Sequence, residues 1–506
     1  MIGRARAVVL TGIAGTLIDI EAHLAASLPA FTIVGLPDAS LQEARDRVRA
    51  AVTNSGLAWP QRRLTVNLTP ASLPKSGSVT DVGIAVAVLS AAGLVNAAAV
   101  ADTVFVGELG LDGRLRPVRG VLPAVAAAVA QGSPRVVVPA GNADEARLVP
   151  GAEVRAVATL AQLARELGNE DAVPTARAVV RAVEAPVPEP VADVGDLSEV
   201  RGQSEARFAL EVAAAGGHHL LMVGPPGAGK TMLASRLPGI LPDLDTEEAL
   251  AATSVHSLAG TLQAQAGLMV RPPFEAPHHS ASAAAIVGGG TNLARPGAIS
   301  RAHGGVLFLD EAPEFPAHVL QTLRQPLESG RIVLHRAYGA VAYPARFQLV
   351  LAANPCPCGG FHGPRAECVC SAVARRRYFG RLSGPLLDRV DIQLDVRPVG
   401  RGDAAGGEST ATVRARVAAA RERARARFAQ QTWQANAQAP GSWLREHTPA
   451  AVMQPVARAL DQGRLTARGM DRIVRVAWTL ADLADVAHPT ADHVAQAMTL
   501  RMRGQA

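Results

Sequence analysis

Apolar and polar positions alternate in short runs through the first third of the chain. LTVNLTP (64–70), TVFVGELG (103–110) and RVVVP (135–139) predict strands, because successive strand side chains point to opposite faces. Ala-rich stretches such as Val121–Gln131 predict helices between them, giving an α/β unit over residues 1–170. Residues 171–196, rich in Pro, Val and Ala with weak period, predict a semi-extended linker. Over 197–400 strands and helices alternate at the spacing of a parallel sheet, closing on a Gly-rich loop at 399–410. Residues 401–506 keep the helical period without a convincing strand.

Composition narrows the classes. Hydrophobic residues make up 48% and charged residues 19% of 506, enough for sizeable cores, which excludes disorder for the bulk of the chain. With only 10 Phe, 4 Trp and 3 Tyr, aromatic stacking is not the main device for holding single-stranded nucleic acid. A formal charge of +6 permits a polyanionic partner without requiring one. Residues 82–101 carry no charge and are long enough to span a bilayer. They are rich in Ala and Gly, include Ser90 and Asn96, and lack aromatic or basic anchors, so a buried helix is expected and no membrane. The start imitates a signal peptide but lacks a clear cleavage site and runs into the alternating GTLIDIEAHL; a soluble, cytoplasmic protein is expected.

The strongest chemical signal is HHLLMVGPPGAGKTMLASRL. Leu220–Val223 form a short apolar strand, followed by Gly224, Pro225, Pro226, Gly227, Ala228, Gly229, Lys230 and Thr231. Glycines at these positions let backbone N–H groups turn inward around phosphates, and the next helix points its positive end at them. Lys230 is suited to the β- and γ-phosphates and Thr231 to Mg²⁺, so ATP with Mg²⁺ is expected. GVLFLDE supplies a buried strand ending at Asp310, a second magnesium group, and Glu311, which polarises the attacking water. FQLVLAAN is a third apolar strand, ending at Asn354, which can position that water.

These residues, with LVLAANPCPCG, SGPLLDRVD, FEAPHHSAS and LTARGMDRIVRVAWTLADL, resemble the YifB/ComM family of magnesium-chelatase-like AAA+ ATPases. The resemblance spans essentially the whole chain. It implies an AAA+ P-loop sheet with a C-terminal helical lid, and a hexameric ring that drives branch migration on single-stranded or branched DNA. It carries the arginine finger onto Arg389, with Arg381 close by, and the lid sensor onto Arg468. A finger acting on the neighbouring subunit implies a homo-oligomer. Other readings are a chelatase motor subunit, although the D-x-S-x-S metal-adhesion motif is absent, and an ATP-dependent assembly factor. Two departures fall in the insert before GVLFLDE: Ala298 where Glu is usual, and Glu275 where Arg is usual.

PKSGSVTD and GELGLDGRLRPVRGVLP resemble a Lon-protease-like (S5-like) domain. Val79 and Leu122 stand where the Ser–Lys dyad belongs, with Ser78 and Lys75 nearby, so proteolysis is not expected. Arg331–Ala345 predicts a β-hairpin turning near Tyr338, which the family places in the ring pore; His335, Arg336 and Tyr338 are candidates for a phosphate backbone. ATVRARVAAARERARARF (411–428) holds six arginines and one glutamate and predicts a helix with a solvated basic face. His278 and His279, adjacent on an extended segment, predict a structural or substrate contact in preference to a metal. All four cysteines, Cys356, Cys358, Cys368 and Cys370, fall within fifteen residues. Four thiolates can close a zinc site, but C-x-C is tighter than the usual spacing, so zinc and reduced packing thiols both stay open.

Overall fold

The computed structural model describes residues 1–502 apart from 36–38, 72, 74–77, 173–194, 291–294, 337–338, 362–367, 383 and 399–405. Most of the expected linker over 171–196 and most of the Gly-rich loop at 399–410 therefore lie outside the described residues.

The N-terminal unit is built on a seven-stranded mixed sheet. Its strands are β1 (Ile2–Thr11), β2 (Ala14–Ala25), β3 (Ala30–Val34), β4 (Arg63–Thr69), β5 (Val104–Phe105), β6 (Arg135–Pro139) and β7 (Glu153–Val157). They run in the order β3-β4-β2-β1-β5-β6-β7. Helices α1 (Ala39–Asn54), α2 (Asp81–Ala91) and α3 (Val121–Ala130) pack on it. The uncharged run at 82–101 does not form one long helix. α2 ends at Ala91, the chain turns through Gly93 at φ +71°, and Asn96 caps a second short helix by accepting from Ala98 N at 2.9 Å. α2 is buried on all sides, which explains its composition, and no helix among the described residues is long and apolar enough to cross a membrane.

The second unit holds a five-stranded parallel sheet. Its strands are β8 (Leu220–Val223), β9 (Phe274–Glu275), β10 (Val306–Leu309), β13 (Gln348–Ala353) and β14 (Ile392–Asp395). The order is β9-β10-β13-β8-β14, and the antiparallel hairpin β11 (Arg331–Arg336) and β12 (Gly339–Pro344) precedes β13. β10 and β13 are wholly buried, as expected of strands covered on both faces. Around the sheet lie α4 (Ser204–Gly216), α5 (Lys230–Ile240), α6 (Thr246–Ala259) and α7 (Ala283–Val287). The C-terminal part is helical, led by α8 (Thr410–Arg427), α9 (Ala467–Leu483) and α10 (Ala491–Met502).

α8 does not present the solvated basic face read from its sequence. Arg416 pairs with Glu211 and Glu408, Arg421 Nε donates to Ala214 O at 2.8 Å, and Arg427 Nη1 donates to Asp482 at 2.9 Å. These arginines fasten the helical part to α4 and α9, because a guanidinium satisfies several acceptors across a helix interface at once. The N-terminal unit docks on the second. Gly12, in the β1–β2 turn at φ +68°, lies so close to the hairpin that a Cβ there would sit 2.3 Å from Ala342 O. Arg119 Nη1 also donates to Ala259 O at 3.4 Å, and Ser257 bonds Glu145.

Candidate nucleotide site

The parallel strands end together, and the loops after β8, β10 and β13 meet at that edge. Gly227 and Gly229 adopt φ of +76° and +89°, a conformation that disfavours side chains. Gly224 passes so close to Val396 O that a Cβ would stand 2.3 Å away. The loop thus keeps its backbone open toward the start of α5, where unpaired N–H groups and the helix dipole favour an anion. Lys230 Nζ donates to Gly224 O at 2.7 Å, Pro225 O at 3.0 Å and Asn354 Oδ1 at 3.1 Å. Burial lowers the Lys230 pKa, while the Asp310 and Glu311 carboxylates oppose that shift. Thr231 Oγ1 donates to Asp310 Oδ2 at 2.7 Å, so two oxygens converge where one hard cation would bind. Residues from three strand ends therefore fit a nucleotide triphosphate with its magnesium.

Glu311 follows Asp310 with φ +50°, unusual for a residue bearing a side chain. Its N–H donates to Asp310 Oδ1 at 2.9 Å, and its carboxylate lies 3.2 Å from His279 Nδ1. Gln203 was not signalled by any pattern: its Nε2 donates to Ala228 O at 3.1 Å and also to Arg397 O, joining the phosphate loop to the end of β14. A lone glutamine before a helix carries no periodic or spacing signature.

The arginines separate. Arg381 Nη1 donates to Pro313 O at 3.1 Å and Glu314 at 3.2 Å, so it supports the turn after Glu311 in its own chain. Arg389 lies at the opposite edge of the sheet, just before β14, with Nη2 bonded to Glu328 and Nη1 to Pro385 O. Arg468, expected as the lid sensor, sits on α9. α9 packs against the opening ends of the strands, where Arg472 Nη1 meets Asp391 at 3.0 Å and His218 Nε2 meets Thr479 at 2.7 Å. Arg468 is exposed there, 3.9 Å from Asp388, on the side of Arg389 and away from Lys230. A cleft of about 540 Å³ at this edge is lined by Arg346, Arg389, Arg421, Arg425, Arg472 and Arg475, among others.

The structure places both departures of the insert. Glu275 receives Arg301 Nε at 3.0 Å and Nη2 at 2.8 Å, and Arg301 lies one helical turn from the buried Ala298.

Cys356 Sγ is 3.3 Å from Cys358 and 3.6 Å from Cys368, and all four sulfurs fall within 4.8 Å of one another. The backbone amide of Gly360, with neighbouring thiols, pulls the Cys358 thiol down to about 6. Burial pushes the Cys356 thiol up to about 11. This donor set fits a tetrahedral thiophilic cation. The cysteine loop leans on the phosphate loop: a Cβ at Gly359, whose φ is +74°, would stand 2.6 Å from Pro226 Cδ. Residues 362–367, between the two cysteine pairs, lie outside the described residues.

The hairpin forms as expected, with Arg336 opposite Gly339 and with Ile332 and Leu334 buried at its base. His335 is exposed; Tyr338 and the side chain of Arg336 lie outside the description. In the N-terminal unit Ser78 bonds Glu108, and Arg47 holds Asp81 with bonds of 2.9 and 3.1 Å. Burial raises the Asp81 carboxyl to about 6 despite Arg47. Val79 and Leu122 offer no nucleophile or base, and Lys75 lies outside the described residues.

Three family models match this chain: magnesium chelatase subunit ChlI over residues 196–404, subunit ChlI of Mg-chelatase over 20–142, and the ChlI C-terminal part over 407–501. The chain is 53% identical to an uncharacterized protein of Mycobacterium tuberculosis, covering 99% of each. It is 41% identical to YifB of Escherichia coli and 41% identical to the competence protein ComM of Haemophilus influenzae. Both matches cover 97% of this chain and 95% of the relative.

Proposed function

The chain belongs to the YifB/ComM family of magnesium-chelatase-like AAA+ ATPases, and from that premise we propose that it is a ring-forming motor that couples ATP hydrolysis to movement on DNA. The observation carrying the hydrolytic part is the convergence of Lys230, the Thr231–Asp310 pair, Glu311 and Asn354 at one sheet edge. Lys230 and the 224–229 backbone hold the phosphates, and Asn354, hydrogen-bonded to Lys230, lies where it can orient the attacking water for Glu311 to polarise. Thr231 and Asp310 would hold magnesium, which would neutralise charge on the phosphates.

Arg389 and Arg468 lie at the far edge, where they serve a neighbouring subunit's nucleotide, so the active form is a homo-oligomer, a hexamer by family resemblance. DNA, single-stranded or branched, is favoured by the near-complete match to a competence protein and by a hairpin whose exposed end includes His335. Cys356, Cys358, Cys368 and Cys370 hold one zinc ion, supported by their close sulfurs and by thiols kept reduced in a cytoplasmic setting. The chelatase names of the family models favour a second reading, a motor that serves metal insertion. An ATPase assay with three additions decides between them. Stimulation by single-stranded or branched DNA supports the first reading; stimulation by porphyrin with a partner chain supports the second. No response to either removes both and leaves an assembly factor.

A further inference from the structure

The cleft of about 540 Å³ at the opening ends of the strands is as large as the pockets, roughly 300–1,000 Å³, that hold small ligands. Two helices line it with like charges at helical spacing. Arg421 and Arg425 stand four residues apart on α8, and Arg472 and Arg475 three apart on α9, so each pair shares one face. Like-charged neighbours of this kind repel, and burial sharpens the repulsion. Burial, with Arg425 adding to it, pulls the Arg421 guanidinium down to about 10. Burial and then Arg472 lower that of Arg475.

The chain's own acceptors leave much of this charge unanswered. Arg421 and Arg475 each spend Nε on a backbone oxygen, Ala214 O and Ala439 O, both at 2.8 Å. Among the described residues no acceptor meets their Nη groups, and none meets the side chain of Arg425. Three of the four carboxylates lining the cleft are engaged: Asp243 with Arg414 at 2.6 Å, Glu328 with Arg389, and Asp391 with Arg472 at 3.0 Å. The fourth, Glu248, forms no ion pair among the described residues and acts on Arg421 only through its field. Trp433 supplies an independent sign, because it lines the cleft with a buried indole Nε1 that has no hydrogen-bond partner among the described residues. Indole and guanidinium N–H groups only donate, so every one of these unmet groups calls for an acceptor.

We propose that this cleft is a second anion site, separate from the Gly224–Thr231 loop, that takes a free oligophosphate of the size of a nucleoside triphosphate. Phosphate oxygens accept several hydrogen bonds each and match guanidinium forks two at a time. A ligand there would tie α8 and α9 to the sheet, because Arg346 and Gln348, at the start of β13, line the same cleft.

The test titrates the full-length Lys230→Ala chain, whose phosphate loop is disabled, with inorganic tripolyphosphate, read by tryptophan fluorescence and by melting temperature. A saturable fluorescence change is expected, with melting raised by about 5 °C at ~100-fold excess over Kd. Adding Arg425→Ala should weaken binding roughly tenfold, as losing one charge-assisted contact does. The same change should leave the ligand-free protein melting no lower, since it relieves the repulsion on Arg421, whereas a merely structural role would lower it. Glu248→Gln should tighten binding severalfold, because it removes a carboxylate that competes for Arg421. Absence of a saturable response, or equal affinity with and without Arg425, overturns the proposal. A response that needs intact Lys230 and ATP assigns the phosphates to a nucleotide held by a neighbouring copy. A response to a single-stranded oligonucleotide but not to tripolyphosphate assigns the cleft to nucleic acid. Either result also overturns the proposal, and none of these outcomes depends on the reading of Glu311.

Discussion

Asp391 is the charged group on which the junction between sheet and lid depends most heavily. It is fully buried just before β14 and accepts Arg472 Nη1 at 3.0 Å, with His218 Nδ1 and His219 N each at 3.3 Å. Burial alone would raise its carboxyl, but Arg472, His218 and His219 together hold it well below the usual carboxylate range. Replacing Asp391 with Ala leaves Arg472, itself only 19% exposed, without its partner. Removing one member of a buried pair costs roughly 3–5 kcal/mol. At about 2–4 °C per kcal/mol for a unit of this size, the lid-containing part should melt about 10 °C earlier. The sign with pH follows from the depressed carboxyl. Its stabilisation is fully present above the unfolded value of about 4 and is lost as pH falls toward the folded value, so the gap between wild type and variant narrows only in acid. Replacing both partners, Asp391→Ala with Arg472→Met, removes the stranded charge and should recover at least half of the loss. Calorimetric melts of wild type, Asp391→Ala, Arg472→Met and the double variant measure this cycle. A single variant within about 1 kcal/mol of wild type, or a double variant as unstable as the single, refutes the reasoning.

Arg389→Ala subunits should assemble and bind ATP but hydrolyse it slowly, and mixing them with Lys230→Ala subunits should restore activity wherever an intact Arg389 meets an intact Lys230; no rescue contradicts a role across the interface. The purified chain should carry about one zinc by elemental analysis, as a four-ligand site requires, and zinc near zero with four freely reactive thiols contradicts the site. Burial lowers His303 to about 4, so the unfolded chain protonates first, and stability should fall as pH drops from about 6.5 to 4, by roughly 3 kcal/mol for this group. Urea melts should show His303→Gln flattening that decline, and an identical decline in wild type and variant contradicts it.

The nucleotide half of the site was legible because its chemistry is contiguous. Gly224–Thr231 and Asp310–Glu311 each follow an apolar run, and a parallel sheet brings such strand ends to one edge. The two lysines of the chain are Lys75 and Lys230, so the phosphate-binding lysine stood out among the 50 basic residues. The helical context of Arg468 predicts a lid without saying which end of the sheet the lid covers. That end is chosen by Asp391 and His218, residues far away in sequence. Arg416, Arg421 and Arg427 of α8 read as part of a basic surface because their acceptors, Glu211, Ala214 O and Asp482, come from other helices. His279 was recognised as a contact residue, but its partner was invisible until the fold brought β9 beside β10. In the insert, the partner of Glu275 is Arg301, which no spacing in the sequence pointed to.

The central claim, that hydrolysis at the Lys230–Glu311 edge drives movement on DNA, is tested most directly by strand exchange on a labelled four-way or three-strand DNA junction. The wild-type protein should resolve the junction with ATP and magnesium but not with a non-hydrolysable analogue. The Glu311→Gln protein should bind both ATP and the junction and leave the junction intact. Resolution that proceeds equally without hydrolysis, or by Glu311→Gln at the wild-type rate, would contradict the account.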